Sequence, residues 1–196
     1  GQKQLEGNSK NDKPDGLVTR WYENGQKKEE TNYKEGVLDG LNNYWLENGE
    51  KIIELVYLDD KEWNGYWTEL NGNGQKIRRL NYKEGIIDGL LTMWYENGQK
   101  RFEGNFKIKI PNGLVTGWYE NGNKREEKNY KNGIEDGMST FWYENGNKWE
   151  EKNYSNGKPD GVHNTWLENG DKIIELTYKN GEAFSGYTTN FDENGN

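Results

Sequence analysis

Along the chain, short runs of alternating apolar and polar residues break off at Asn-Gly steps and then resume. Leu17 to Trp21 precedes Asn24-Gly25, for example, and Lys27 to Tyr33 follows it. Period-two alternation on both sides of Asn-Gly is the signature of a β-hairpin. No stretch sustains a 3.6-residue period, and turn residues recur too densely for helices of ordinary length. The glycine that closes the Asn-Gly step falls at Gly25, Gly49, Gly74, Gly98, Gly122, Gly146, Gly170 and Gly195. A second series runs through Gly16, Gly40, Gly65, Gly89, Gly113, Gly137, Gly161 and Gly186, and both advance in steps of 24 or 25 residues. Repetition at a fixed period implies a stack of equivalent supersecondary units. The predicted units are residues 16–39, 40–64, 65–88, 89–112, 113–136, 137–160 and 161–185, with partial units 1–15 and 186–196, in one array over residues 1–196.

Each unit carries two aromatic anchors. Trp21, Trp45, Trp94, Trp118, Trp142 and Trp166 hold one position, filled by Leu70 and Phe191 in two variant copies. Tyr33, Tyr57, Tyr82, Tyr130, Tyr154 and Tyr178 hold the other, with Phe106 in the remaining copy. Which face each anchor takes depends on the loop. A three-residue loop, Glu23-Asn24-Gly25 with Gly25 left-handed in a bulge, is predicted to place Leu17, Trp21 and Tyr33 on one side, where a polar hairpin needs its few large groups. Hairpins stacked in this way give an all-β, elongated single-layer antiparallel meander, about eight repeats of 24 residues. With roughly sixteen strands at about 4.8 Å each it extends on the order of 75 Å, and it has no enclosed core. Two copies stand apart: Glu50 to Glu54 and Asp171 to Glu175 carry the extra apolar residues Ile52, Ile53, Ile173 and Ile174, and the spacer that follows each is one residue longer.

Composition sharpens this picture. Only 30% of residues are apolar and the mean hydropathy is −1.29, values that on their own indicate disorder. Nine Trp and thirteen Tyr counter that, since each large ring buries the area of several aliphatics. The net charge of −8 disfavours nucleic acid and anionic lipid, so no nucleic-acid role and no direct membrane binding are expected, and it favours a basic partner. The chain has no cysteine, which excludes disulfides and thiolate metal sites, and no apolar run of membrane-spanning length. It opens in mid-repeat at Gly1-Gln2-Lys3, where other copies read Glu-Asn-Gly-Gln-Lys. The expectation is a signal peptide removed upstream and an exported or cell-envelope setting, with a cytoplasmic one as the alternative.

The strings WYENGQKKEETNYKEGVLDG (Trp21 to Gly40), WYENGQKRFEGNF (Trp94 to Phe106), WYENGNKREEKNYKNGIEDG (Trp118 to Gly137) and WYENGNKWEEKNYSNGKPDG (Trp142 to Gly161) resemble the MORN-type repeat, and more closely its bacterial variant in the YwqK family of antitoxin-like proteins. The resemblance covers essentially the whole chain. It implies a non-catalytic binding scaffold and, through the YwqK likeness, neutralisation of a cognate toxin by direct contact. Leu70 to Gly74, reading LNGNG, departs from the pattern and argues against one identical ligand per repeat.

Candidate chemistry is sparse. The adjacent acids Glu29-Glu30, Glu126-Glu127 and Glu150-Glu151 would be split between opposite faces of a strand, and their recurrence with Lys27, Lys124 and Lys148 reads as a solvated charge ladder. His163 is the only histidine and is expected at the surface, so neither a catalytic triad nor a multi-histidine metal site can form. Asp59-Asp60 and Asp192-Glu193-Asn194 lack the ligand spacing of a calcium loop. No catalytic residue, metal or cofactor is expected. The aromatic stripe has two readings: open stacking platforms for a glycan or cell-wall polymer, or the packing that holds the sheet together. The off-pattern aromatics Trp63, Trp67, Phe102, Phe141, Trp149 and Phe184 are not required by the repeat and are the partner-binding candidates.

Overall fold

The computed structural model describes residues 4–189; Phe191, Gly195 and the Asp192-Glu193-Asn194 run lie outside them. The fold is all-β, with no helix among the described residues. The chain forms two compact units that meet in sequence at Gly89 and Leu90. The first contains β1 (Leu5–Lys10), β2 (Lys13–Trp21), β3 (Lys27–Lys34), β4 (Val37–Leu38), β5 (Gly40–Trp45), β6 (Lys51–Leu58), β7 (Lys61–Leu70), β8 (Lys76–Lys83) and β9 (Ile86–Ile87). The second contains β10 (Gly89–Trp94), β11 (Lys100–Lys107), β12 (Ile110–Trp118), β13 (Lys124–Lys131), β14 (Ile134–Glu135), β15 (Gly137–Trp142), β16 (Lys148–Ser155), β17 (Lys158–Trp166), β18 (Lys172–Lys179) and β19 (Glu182–Thr188). Each unit is an antiparallel meander in which a strand pairs with its sequence neighbours. Among the described residues nineteen strands appear where about sixteen were expected, because three first strands are interrupted at Asp39, Asp88 and Asp136.

Two turn types alternate. At the Asn-Gly end, the Gly25 N–H donates to Tyr22 O at 3.0 Å and the Tyr22 N–H to Gln26 O at 2.8 Å, closing the three-residue loop Glu23-Asn24-Gly25. Gly25 has φ 85°, the left-handed residue such a loop requires, and the Asn24 side-chain oxygen accepts the Gln26 N–H at 2.9 Å. The other end uses two-residue turns with both φ positive, such as Glu35-Gly36 and Asp59-Asp60.

The predicted grouping of Leu17, Trp21 and Tyr33 on one face is wrong, although the loop is as expected. Arg20 pairs with Glu29 but Trp21 pairs with Lys27, so Lys28 is an extra, bulged residue and every side chain beyond it changes face. The same bulge recurs at Ile52, Ile77, Arg125, Trp149 and Ile173. The sheet in each unit therefore has a tryptophan face and a tyrosine face. Leu17 lies on the tryptophan face and is 46% exposed, in a row with Leu41 in the first unit; Leu90, Leu114, Met138 and Val162 hold the equivalent place in the second. The buried apolar residues, Val18, Leu55, Leu80 and Val115, form the middle row of the tyrosine face.

On the tryptophan face, lysine ammonium groups cover the rings. Lys51 lies 5.3 Å from the Trp45 ring centre, while Lys100, Lys124 and Lys148 reach forward one repeat to Trp118, Trp142 and Trp166 at 5.7–5.8 Å. Each of these lysines also pairs with the glutamate three residues on, as Lys124 does with Glu127 at 2.5 Å. Contacts of this exposed kind contribute about 0.5–1 kcal/mol each. Beneath them lie buried threonines, Thr19, Thr68, Thr92, Thr116 and Thr140. Neighbouring repeats are also tied edge to edge. The hydroxyls of Tyr22, Tyr95, Tyr119 and Tyr143 donate to the carbonyls of Trp45, Trp118, Trp142 and Trp166 at 2.7–3.0 Å. Asn24, Asn97, Asn121 and Asn145 donate to the next repeat's glutamate carbonyl at 2.8–3.2 Å. These bonds account for the Tyr and Asn of the WYEN string: the hydroxyl and the amide each satisfy a backbone carbonyl of the next repeat. Copies with Leu46, Asn71 or Leu167 in place of the tyrosine have no hydroxyl for this tie.

Candidate functional site

Each unit has a recess on its tyrosine face that is walled by tyrosines. In the first unit, Leu55, only 1% exposed, forms the floor of a groove. Tyr57, Tyr82, Tyr44 and Trp67 wall it, with Ile53 beside the floor and Glu62 at the rim. Register explains the assembly. Ile53 on β6 is flanked by Tyr44 on β5 and Trp67 on β7, and Tyr57 is paired with Glu62. The unit spanning residues 40–64 has one residue more than its neighbours. Trp63 is bulged out between the Tyr57–Glu62 and Val56–Asn64 pairs, which brings Trp67 opposite Ile53. Burial, to which the charge of Glu62 and the phenols of Tyr44 and Tyr82 add, pushes the Tyr57 phenol up to about 12.

That shift has a measurable consequence. Tyr57 stays protonated in the folded chain after an unfolded chain's phenol, with an ordinary value of 10.0, has ionised. Its contribution to stability is complete below that ordinary value and is lost as pH rises through the folded value of about 12. A phenolate absorbance titration is expected to show a late-ionising component that disappears in Tyr57→Phe. A wild-type titration already complete near the ordinary value would refute it.

In the second unit, the recess is lined by Lys152, Tyr154, Pro159, His163 and Tyr178. His163 is not at the surface as expected. It lies on the tyrosine face opposite Lys152, its side chain is 16% exposed, its Nε2 is 3.0 Å from Glu150 and its ring is 5.7 Å from that of Tyr178. A histidine holds here the position that Val18 holds on β2 and Val115 on β12.

The adjacent acids separate between the faces. Glu30, Glu127 and Glu151 pair with Lys27, Lys124 and Lys148 on the tryptophan face. Their neighbours face the other way: Glu29 pairs with Arg20, Glu126 with Arg125 and Lys128, and Glu150 with Lys152 and His163. Burial opposes the charge of Glu126, but the bonds to Arg125 and Lys128 outweigh it and hold the carboxyl below its ordinary value. Asp59 and Asp60 form a turn, where the Asp60 carboxylate accepts the Leu38 N–H at 2.7 Å.

The six off-pattern aromatics fall into two groups. Trp63, Trp149 and Phe184 are bulged residues, 39%, 45% and 73% exposed. Trp67, Phe102 and Phe141 are half-buried on the tyrosine face, Phe102 with its ring 6.3 Å from Phe106 and Phe141 5.8 Å from Trp149. The structure brings only Trp67 into the first groove. Sequence reasoning missed Tyr44, Leu55 and Glu62, which belong to three different strands. Their one visible signal was the additional residue in the unit spanning residues 40–64.

Four segments, residues 14–35, 87–107, 111–132 and 135–156, match the MORN repeat variant family. No curated protein matches the chain. The matching segments fall in the copies that carry the WYENG string; the copies that build the first-unit groove fall outside them. Repeats of this family are generally protein- or membrane-binding scaffolds and are typically non-catalytic.

Proposed function

With four MORN-variant repeats as the premise, we propose that the chain is a non-catalytic scaffold that binds a protein partner, the partner being a basic toxin that the array neutralises by contact. The single observation that carries this reading is the set of exposed rings, Trp63, Trp149 and Phe184, which the repeat does not require and the fold holds outward. Exposed aromatic side chains on a rigid sheet are the anchors that protein interfaces concentrate. The net charge of −8 supports a basic partner and predicts association that weakens with salt. The name of the resembling YwqK family is the support for toxin neutralisation.

The test is capture with the full chain against the triple variant Trp63→Ser, Trp149→Ser, Phe184→Ser. A basic protein retained by the wild type and lost from the variant, at low salt and with the β-sheet signal unchanged, is the expected result. Retention of glycan or cell-wall fragments with quenching of tryptophan fluorescence, and of no protein, would replace this reading with the carbohydrate-binding one.

A further inference from the structure

The repeats allow the same place on the tyrosine face to be compared within one chain. In the second unit, β13 presents Glu126, Lys128 and Tyr130 on this face, with Phe141 paired to Glu126 and Glu135 paired to Tyr130. The Lys128 ammonium lies 5.0 Å from the Phe141 ring centre and 3.0 Å from the Glu126 carboxylate. Burial opposes its charge, but Glu126, Tyr130 and Glu135 outweigh that and raise its pKa above the ordinary lysine value. An ammonium in a box of rings and carboxylates is a favourable arrangement, because the ring face and the carboxylate both attract its charge. In the first unit the corresponding strand, β6, presents Ile53, Leu55 and Tyr57, with Trp67 paired to Ile53 and Glu62 paired to Tyr57. The ring, the phenol and the Glu135 carboxylate recur as Trp67, Tyr57 and Glu62, whereas Ile53 stands in the place of Glu126, leucine stands where lysine supplies the charge, and Tyr44 adds a further wall. The nearby cations are engaged elsewhere: Lys51 on Glu54, Lys76 on Glu50 and Arg78 on Glu69. Among the described residues no cation forms an ion pair with Glu62.

We propose that the groove formed by Tyr44, Leu55, Tyr57, Glu62, Trp67 and Tyr82 is a cation box that receives the ammonium of a lysine side chain from the partner protein. The lysine's ammonium would lie over the Trp67 face with Glu62, on the lining of the same groove, as its counter-charge, and its methylenes would rest against Leu55. The proposal deepens the scaffold reading and rests on it, because the lysine is supplied by the bound protein.

The experiment uses the full chain with ¹⁵N-labelled indoles, the Trp67 signal being assigned with Trp67→Phe. The probe is lysine blocked as its N-acetyl methylamide, titrated at constant ionic strength against its Nε-acetylated, uncharged form. The Trp67 indole is expected to shift saturably with the charged probe and not with the neutral one, and Glu62→Gln to weaken the response about tenfold. Lys128→Leu, which empties the corresponding box, is expected to make the indole of Trp149, which packs on Phe141, respond to the same probe. Equal shifts with both probes, or a response indifferent to Glu62→Gln in a folded variant, would overturn the box. Tighter binding of phosphocholine than of the lysine probe would overturn lysine as its occupant. Partner capture that survives while Trp67 stays silent removes the box and leaves the scaffold; a responding Trp67 with no captured protein removes the scaffold.

Discussion

Gly65→Ala is expected to destabilise the first unit by about 3 kcal/mol or more, whereas Gly98→Ala costs about 1–2 kcal/mol. Both glycines have positive φ, 122° and 85°, so both substitutions share a backbone penalty. They differ in what surrounds them. A Cβ on Gly98 meets nothing within 4 Å, whereas one on Gly65 would be 2.9 Å from the Glu54 carbonyl carbon and 3.0 Å from the Leu55 Cα, with the Glu54 oxygen closer still. Backbone on the neighbouring strand cannot move aside as a flexible side chain can, so β6 and β7 must part. Gly186, with φ 131°, meets Glu175 and Leu176 in the same way and is expected to behave alike. These are the two copies whose additional residue, Trp63 or Phe184, bulges and draws the chain against its partner. Urea unfolding followed by far-ultraviolet circular dichroism measures the difference. Equal losses for Gly65→Ala and Gly98→Ala would show that φ alone sets the cost.

The hairpins and their loops were legible because turn chemistry is local: Asn24 and Gly25 fix the loop whatever lies beyond it. The faces were not legible because the bulge has no chemical marker. Lys28, Ile52, Ile77, Arg125, Trp149 and Ile173 share the bulged position and no property, yet one unmarked residue moved Leu17 and Tyr33 to opposite sides. The tryptophans were read as repeat anchors; their neighbours in the fold are lysine ammonium groups over the rings and tyrosine hydroxyls on their carbonyls from adjacent repeats, which a scan for apolar residues passes over. The groove was the least visible element. Tyr44, Leu55 and Glu62 look like ordinary variation between copies until the register of three strands places them together, and of its lining residues only Trp67 had been singled out as off-pattern. His163 was misplaced because a lone polar residue was assigned to solvent, when the row it occupies is covered from both sides by Glu150 and Tyr178.

Leu55→Ala is expected to cost about 2–5 kcal/mol, the largest loss from any apolar truncation in the first unit. Leu55 is the most deeply buried apolar residue among the described residues, and the first unit's other buried apolar side chains there are only Val18 and Leu80. No second layer lies over this row to collapse into the void: Asn42 and Gly65 flank Leu55 on the adjacent strands, and the rings around the groove are held by their own strands. Leu55→Met, which conserves volume, is expected to cost less than about 1.5 kcal/mol. Because each repeat packs chiefly on its neighbours, the loss should be local. Hydrogen exchange is expected to accelerate in β5 to β8 while β1 and β2, separated from Leu55 by β3 and β4, keep their protection. A uniform loss of protection across the unit would mean that it unfolds as one cooperative block, and that the sum of neighbour contacts is the wrong description of what holds these repeats together.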